Sequence, residues 1–175
     1  MEIIELTEFY GKSTLKITAE MENASVFTSF QNKYKFIAQI SGDLSLIDFP
    51  EITPIPARKN ELWTIGCFEI FVSKKDNSYT EHNFGFCTNW ECFDFDDYRK
   101  NQSRPQLFEP KITCKTETNK FTQIVEFHEK TISQNQFSIT AVVKLKNGDF
   151  LYFANKHCGQ TPDFHLKSAR NLKLL

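Results

Sequence analysis

The stretch Glu61–Arg99 decides how the chain is read: ELWTIGCFEIFV (61–72), the polar SKKDN (73–77), SYTEHNFGF (78–86) and, after Cys87-Thr88, NWECFDFDDYR (89–99). Leu62 to Val72 is rich in aromatic and β-branched residues with Gly66 as its one breaker, so it reads as a strand long enough to cross a sheet. Glu69 is the one charge inside it. The following strand supplies Glu81 and Asn83, which share a face under the two-residue period. A hairpin centred near Lys75 sets Glu69 opposite Glu81, Cys67 opposite Asn83 and Phe71 opposite Tyr79; a slip by one residue would send the two carboxylates to opposite faces. Like charges directly opposed in a sheet are destabilising. A face holding both needs a cation, an arginine such as Arg99, or a proton retained through a raised pKa. A binding face is one reading of this cluster. Two carboxylates pointing to water from an ordinary sheet is the other.

Outward from this hairpin, short alternating runs continue. Leu15, Ile17, Ala19 and Met21 alternate with Lys16, Thr18 and Glu20, and Tyr34, Phe36, Ala38 and Ile40 repeat the pattern. Pro50 to Asn60 holds three prolines and is read as a crossing loop. Lys111–Thr118 and Phe121–Glu129 form a hairpin about Asn119. Phe137 to Leu145 runs into Asn147-Gly148, a signal for a two-residue type I′ turn, and Phe150 to Asn155 returns. His157–His165 is too polar for a core strand, and Leu166–Leu175 is a final edge strand or a short helix. With no long helical period, one all-β domain over residues 1–175 is expected, a β-sandwich of two antiparallel sheets.

The chain has 175 residues, 40% hydrophobic and 14% aromatic, with 18 Phe, so a packed aromatic core is available and disorder is not expected. A net charge of −1 with scattered Lys and Arg gives no field for nucleic acid. The N-terminus is acidic without a signal-type apolar run, and no window resembles a membrane span. Five cysteines without regular spacing read as reduced thiols. Together these predict a cytoplasmic protein.

The order LW-x3-CFE-x-FV (Leu62 to Val72), Y-x-E-x-NF (Tyr79, Glu81, Asn83-Phe84), Trp90, F-x-x-YR (Phe95, Tyr98-Arg99) and H-x-G-x-x-PDFH (His157 to His165) resembles the DOMON-like domains related to family 9 carbohydrate-binding modules. The resemblance spans nearly the whole chain. It implies a jelly-roll or immunoglobulin-like sandwich with a sugar, or in some relatives haem, on its concave side, and often calcium. Gly85-Phe86 stands where the family pattern has Ser-Pro, so the loop above the hairpin is expected to differ.

Sugar binding needs apolar ring faces and paired polar groups. Trp63 and Trp90 are candidate platforms, with Glu69, Glu81, Asn83 and Arg99 for hydroxyls; core packing is the competing reading for each tryptophan. Tyr98 completes the set, and Asp163 and His165, which share parity, are read as an orienting pair or a satisfied surface pair. Haem would draw on His82, His128, His157 or His165, and no CxxCH is present. Cys87 and Cys92 lack the second pair that a structural zinc needs. A non-catalytic module for a carbohydrate or similar small polar ligand is the leading expectation, with no catalytic residue assigned. A glycan-active enzyme using Glu69 and Glu81 as acid and base is the alternative, and haem binding a third.

Overall fold

The computed structural model describes residues 2–25, 32–107, 109–130, 132 and 135–174. The described residues form ten strands: β1 (Ile4–Glu8), β2 (Lys16–Ser25), β3 (Asn32–Ser41), β4 (Cys67–Ser73), β5 (Tyr79–Gly85), β6 (Trp90–Phe95), β7 (Lys111–Thr116), β8 (Lys120–Glu129), β9 (Phe137–Lys144) and β10 (Phe150–Ala154). They pair antiparallel in the single order β6-β5-β4-β9-β10-β1-β2-β3-β8-β7. The all-β expectation holds, and the strands form one curled sheet, a half-barrel. β1, which the sequence reading did not pick out, is the joint: Ile4–Leu6 pair with β2 while Thr7 and Glu8 pair with β10.

Curling follows from where the rings meet. Phe36 of β3 lies 5.9 Å from Phe68 of β4 and 6.2 Å from Phe84 of β5, and Phe84 lies 5.3 Å from Phe127 of β8, although these strands are far apart in the sheet order. The alternating apolar faces of β2, β3 and β8 thus close on those of β4, β5 and β9, as their period of two demands. Ile17, Phe36, Ile40, Phe68, Phe121 and Val143 are all fully enclosed in this core.

Three local expectations change. The strand expected from Leu62 begins only at Cys67, because Glu61 is left-handed (φ 60°), Leu62–Thr64 make a single 3-10 turn and Gly66 takes φ 101°. A Cβ at Gly66 would also lie 2.8 Å from the Phe86 ring, so both backbone and packing require glycine there. The β4–β5 hairpin centres on Asp76 (φ 62°), with Lys74 N–H donating to Ser78 O; Glu69 therefore faces Asn83, and Phe71 faces Glu81. The shift preserves parity, so Glu69, Glu81 and Asn83 keep one face. The β9–β10 connection is a three-residue loop, because Leu145 N–H reaches Asp149 O and Gly148 alone, at φ 91°, takes the positive-φ position that a bulged turn needs.

Candidate functional site

Strands β6, β5, β4 and β9 turn one face to the core and the other to a second, smaller aromatic cluster of Phe71, Tyr79, Phe93, Phe95, Val142 and Phe164. On that outer face the register lines up Thr140, Glu69, Asn83 and Glu91 across four strands, with Ser138, Phe71, Glu81 and Phe93 in the adjacent row. Non-strand segments cover it. The turn after Asn60 brings Trp63, the loop after β6 brings Arg99 and Gln102, and the tail beyond β10 brings Pro162, Phe164 and His165. Between cover and sheet lies a cavity of about 470 Å³ with Glu69 and Glu81 on its wall.

Both carboxyls are only 4% exposed. Glu69 accepts from Thr140 Oγ1–H at 3.0 Å and from the Cys67 thiol at 3.5 Å, and Glu81 accepts from Asn83 Nδ2 at 2.8 Å. Burial pushes Glu69 up to about 7, partly opposed by the Thr140 and Cys67 hydrogen bonds. Burial, together with the nearby Glu69 charge, pushes Glu81 up to about 8. The two titrate as a pair that still holds a proton at neutrality.

His165 has the opposite problem: burial, with Arg99 and Arg170 nearby, lowers it to about 4, so its ring is neutral. Its Nδ1 lies 2.7 Å from Tyr79 Oη, which accepts from the Arg99 backbone N–H at 3.2 Å. His165 Nε2 lies 3.8 Å from Glu81 Oε2, too far for a hydrogen bond.

The expected Arg99 clamp on the carboxylates is corrected. Arg99 Nη2 pairs with Asp163 Oδ1 at 3.3 Å, and Asp163 Oδ2 accepts from Tyr98 Oη at 2.6 Å. Arg99 reaches Glu69 and Glu81 only through space, slightly favouring their charged forms. Its side chain is 52% exposed, so Arg99→Ala should cost under about 1 kcal/mol in a denaturant melt. A loss of about 3 kcal/mol would restore the buried clamp.

Of the residues singled out from sequence, the cavity gathers Trp63, Glu69, Glu81, Arg99 and His165. Asn83 sits behind Glu81, fully enclosed. Asp163 and Tyr98 hold Arg99, and Asp163 meets His165 through its backbone N–H at 3.1 Å and not through the ring. Trp90 is not brought to the cavity: it lies opposite Phe84 in β6, faces the main core, and carries the Arg58 guanidinium over its ring at 5.2 Å. Phe93, Phe95, Val142, Tyr152 and Phe164 line the cavity and were missed. The signal for Phe93 and Phe95 was their shared parity with Glu91.

For the haem or calcium implied by the resemblance, the cavity offers one histidine, His165, and two carboxyls, Glu69 and Glu81. His165 has Nδ1 against Tyr79 Oη; His82 is buried in a 2.9 Å pair with Glu129, and His157 Nε2 meets Thr7 O. Among the described residues no three His, Cys, Asp or Glu side chains converge to hold a metal ion. All five cysteines are free thiols.

No protein-family model and no curated protein matches the chain. Among solved structures, a "putative carbohydrate-binding protein" from Bacteroides uniformis ATCC 8492 superposes with a TM-score of 0.66 at 10% identity, over 97% of this chain and 84% of that one. A family 9 carbohydrate-binding module from Caldicellulosiruptor kristjanssonii, in complex with glucose, matches with a TM-score of 0.41 at 7% identity, over 86% and 73% of the two chains. At such identities the likeness is one of fold, and the Bacteroides uniformis protein shares it over nearly the whole length of this chain.

Proposed function

We propose that this chain is a non-catalytic carbohydrate-binding module whose ligand enters the cavity between Trp63 and the Glu69/Glu81 wall. The observation that carries the reading is the pairing, in one cavity, of apolar rings with buried hydrogen-bonding carboxyls. Trp63, Phe93, Phe95 and Phe164 give apolar lining for sugar C–H groups, while Glu69 and Glu81 accept from hydroxyls. A volume of about 470 Å³ suits a small ligand. Fold likeness to a protein described as carbohydrate-binding supports the same class. In this reading the curled sheet works as the jelly-roll sandwich of the DOMON-like resemblance, and the free thiols suit a reducing, cytoplasmic setting.

A second reading, a glycan-active enzyme, is favoured by the same carboxyl pair, one member of which stays protonated at neutrality as a general acid must. A glycan array with a hydrolysis screen separates the two. Binding without turnover, weakened about tenfold or more by Trp63→Ala, is the expected outcome. Turnover abolished by Glu69→Gln would replace the module with the enzyme.

A further inference from the structure

We infer that the ligand of this cavity is a saccharide bearing an ammonium group, an amino sugar, whose nitrogen is held by Glu69 and Glu81. The inference rests on the carbohydrate-binding reading above and specifies the ligand class.

Charge bookkeeping in the cavity points to it. Neither carboxylate forms an ion pair with a lysine or arginine among the described residues. Glu81 Oε1 is engaged by Asn83, but Oε2, on a side chain more than nine-tenths buried, has no hydrogen-bond partner among the described residues and faces the cavity. Buried carboxylates persist where something compensates them, and here Arg99 acts on the pair only through space, without a direct contact. Aromatic rings line the cavity as well, Phe93 and Phe95 from the sheet and Trp63 and Phe164 from the cover, and an ammonium is attracted to such rings where a neutral hydroxyl is not.

The other charged and titratable groups around the pair leave this balance intact. From β4 comes the Cys67 thiol, held protonated by burial and by Glu69, and from β5 comes Tyr79. Arg99, from the loop after β6, is neutralised by Asp163 at the rim. From the tail, His165 is neutral, and Arg170 stacks on Tyr79 at 4.6 Å with its donors turned to Ser73 Oγ and His165 O. An ammonium entering the cavity therefore meets the carboxyl pair as the acidic groups of its lining, and its arrival expels the proton that the pair holds at neutrality.

Isothermal titration calorimetry at pH 7.0, in two buffers of different ionisation heat, tests this with glucosamine, N-acetylglucosamine and glucose. Glucosamine should bind about tenfold or more tighter than the other two, with proton release that they do not cause. Glu81→Gln should collapse that preference ratio, and Glu69→Gln provides the same readout should the first variant fail to fold. Equal or tighter binding of the neutral sugars would overturn the ammonium assignment and leave the carbohydrate reading standing. Binding of none of the three, nor of any glycan on the array, would overturn both.

Discussion

Glu91→Ala is expected to cost about 3 kcal/mol of folding stability, read as a lowered midpoint in a denaturant melt. Glu91 belongs to the polar row of the site face but is only 1% exposed, and its carboxylate joins two distant segments to β6. Arg58 Nε donates to Oε1 at 2.5 Å while its Nη2 reaches Cys92 O at 3.0 Å; Arg104 Nη2 donates to Oε2 from the loop after β6. The Cys92 backbone N–H also donates to Oε1 at 2.9 Å. Removing the carboxylate leaves that amide without its acceptor and loosens both arginines. Because the Arg58 and Arg104 side chains are 27% and 52% exposed, they can turn to water, which keeps the loss near the lower end for a broken buried pair. Arg104 lies on the loop that carries Arg99, so ligand binding should weaken in the same variant. A melt within 1 kcal/mol of the parent would remove Glu91 as the anchor of these segments.

Stability should also fall as pH rises from 6.5 to 8.5, by about 2 kcal/mol, and Glu81→Gln should flatten most of that slope. Both site carboxyls have folded-state values above the 4.5 of the unfolded chain, so across neutrality the native state holds protons that the unfolded chain has released. Their contribution is fully present below about pH 4.5 and is lost as pH climbs through about 7 and about 8. His165 acts in the other direction and in another window: its folded value of about 4 lies below the usual 6.5, so its contribution is present above 6.5 and is lost as pH falls toward 4. Above pH 6.5 the carboxyl pair dominates, with the buried Cys67 and Cys92 thiols acting in the same direction toward pH 8.5, so the difference between the parent and Glu81→Gln profiles isolates the pair. A profile that is flat or rising from 6.5 to 8.5 would show that the pair is ionised and solvated.

The period of two carried the sequence reading a long way. Leu15, Ile17, Ala19 and Met21, then Tyr34, Phe36, Ala38 and Ile40, and then Phe121, Gln123, Val125 and Phe127 are all buried as their alternation requires. Glu69, Glu81 and Asn83 fell on one face even though the hairpin centre moved from Lys75 to Asp76, because moving the centre by one residue moves the register by two and keeps parity. Trp90 shows where alternation ends. Its face depends on the number of residues in the turn after Gly85, closed by Gly85 N–H on Asn89 O, and that turn pairs Trp90 with Phe84 on the core side. One residue more or fewer would have placed Trp90 on the face that carries Glu81. The partner of Arg99 was beyond reach for a different reason: Asp163 lies 64 residues along the chain, and only the folding of the tail over the sheet brings the two together. β1 escaped notice because five residues with two acidic positions carry a weak pattern, although its place between β10 and β2 is what makes the sheet continuous.

In the proposed function the ligand is received by the cavity over the Glu69/Glu81 wall. This placement is tested most directly by NMR with 13C-labelled glutamate carboxyls and tryptophan, titrated with a saccharide identified on the array. Saturating ligand should shift the Glu69 and Glu81 carboxyl resonances and the exposed Trp63 indole, while Trp90, enclosed in the main core, stays in place. Saturable binding that leaves Glu69, Glu81 and Trp63 unmoved would contradict it.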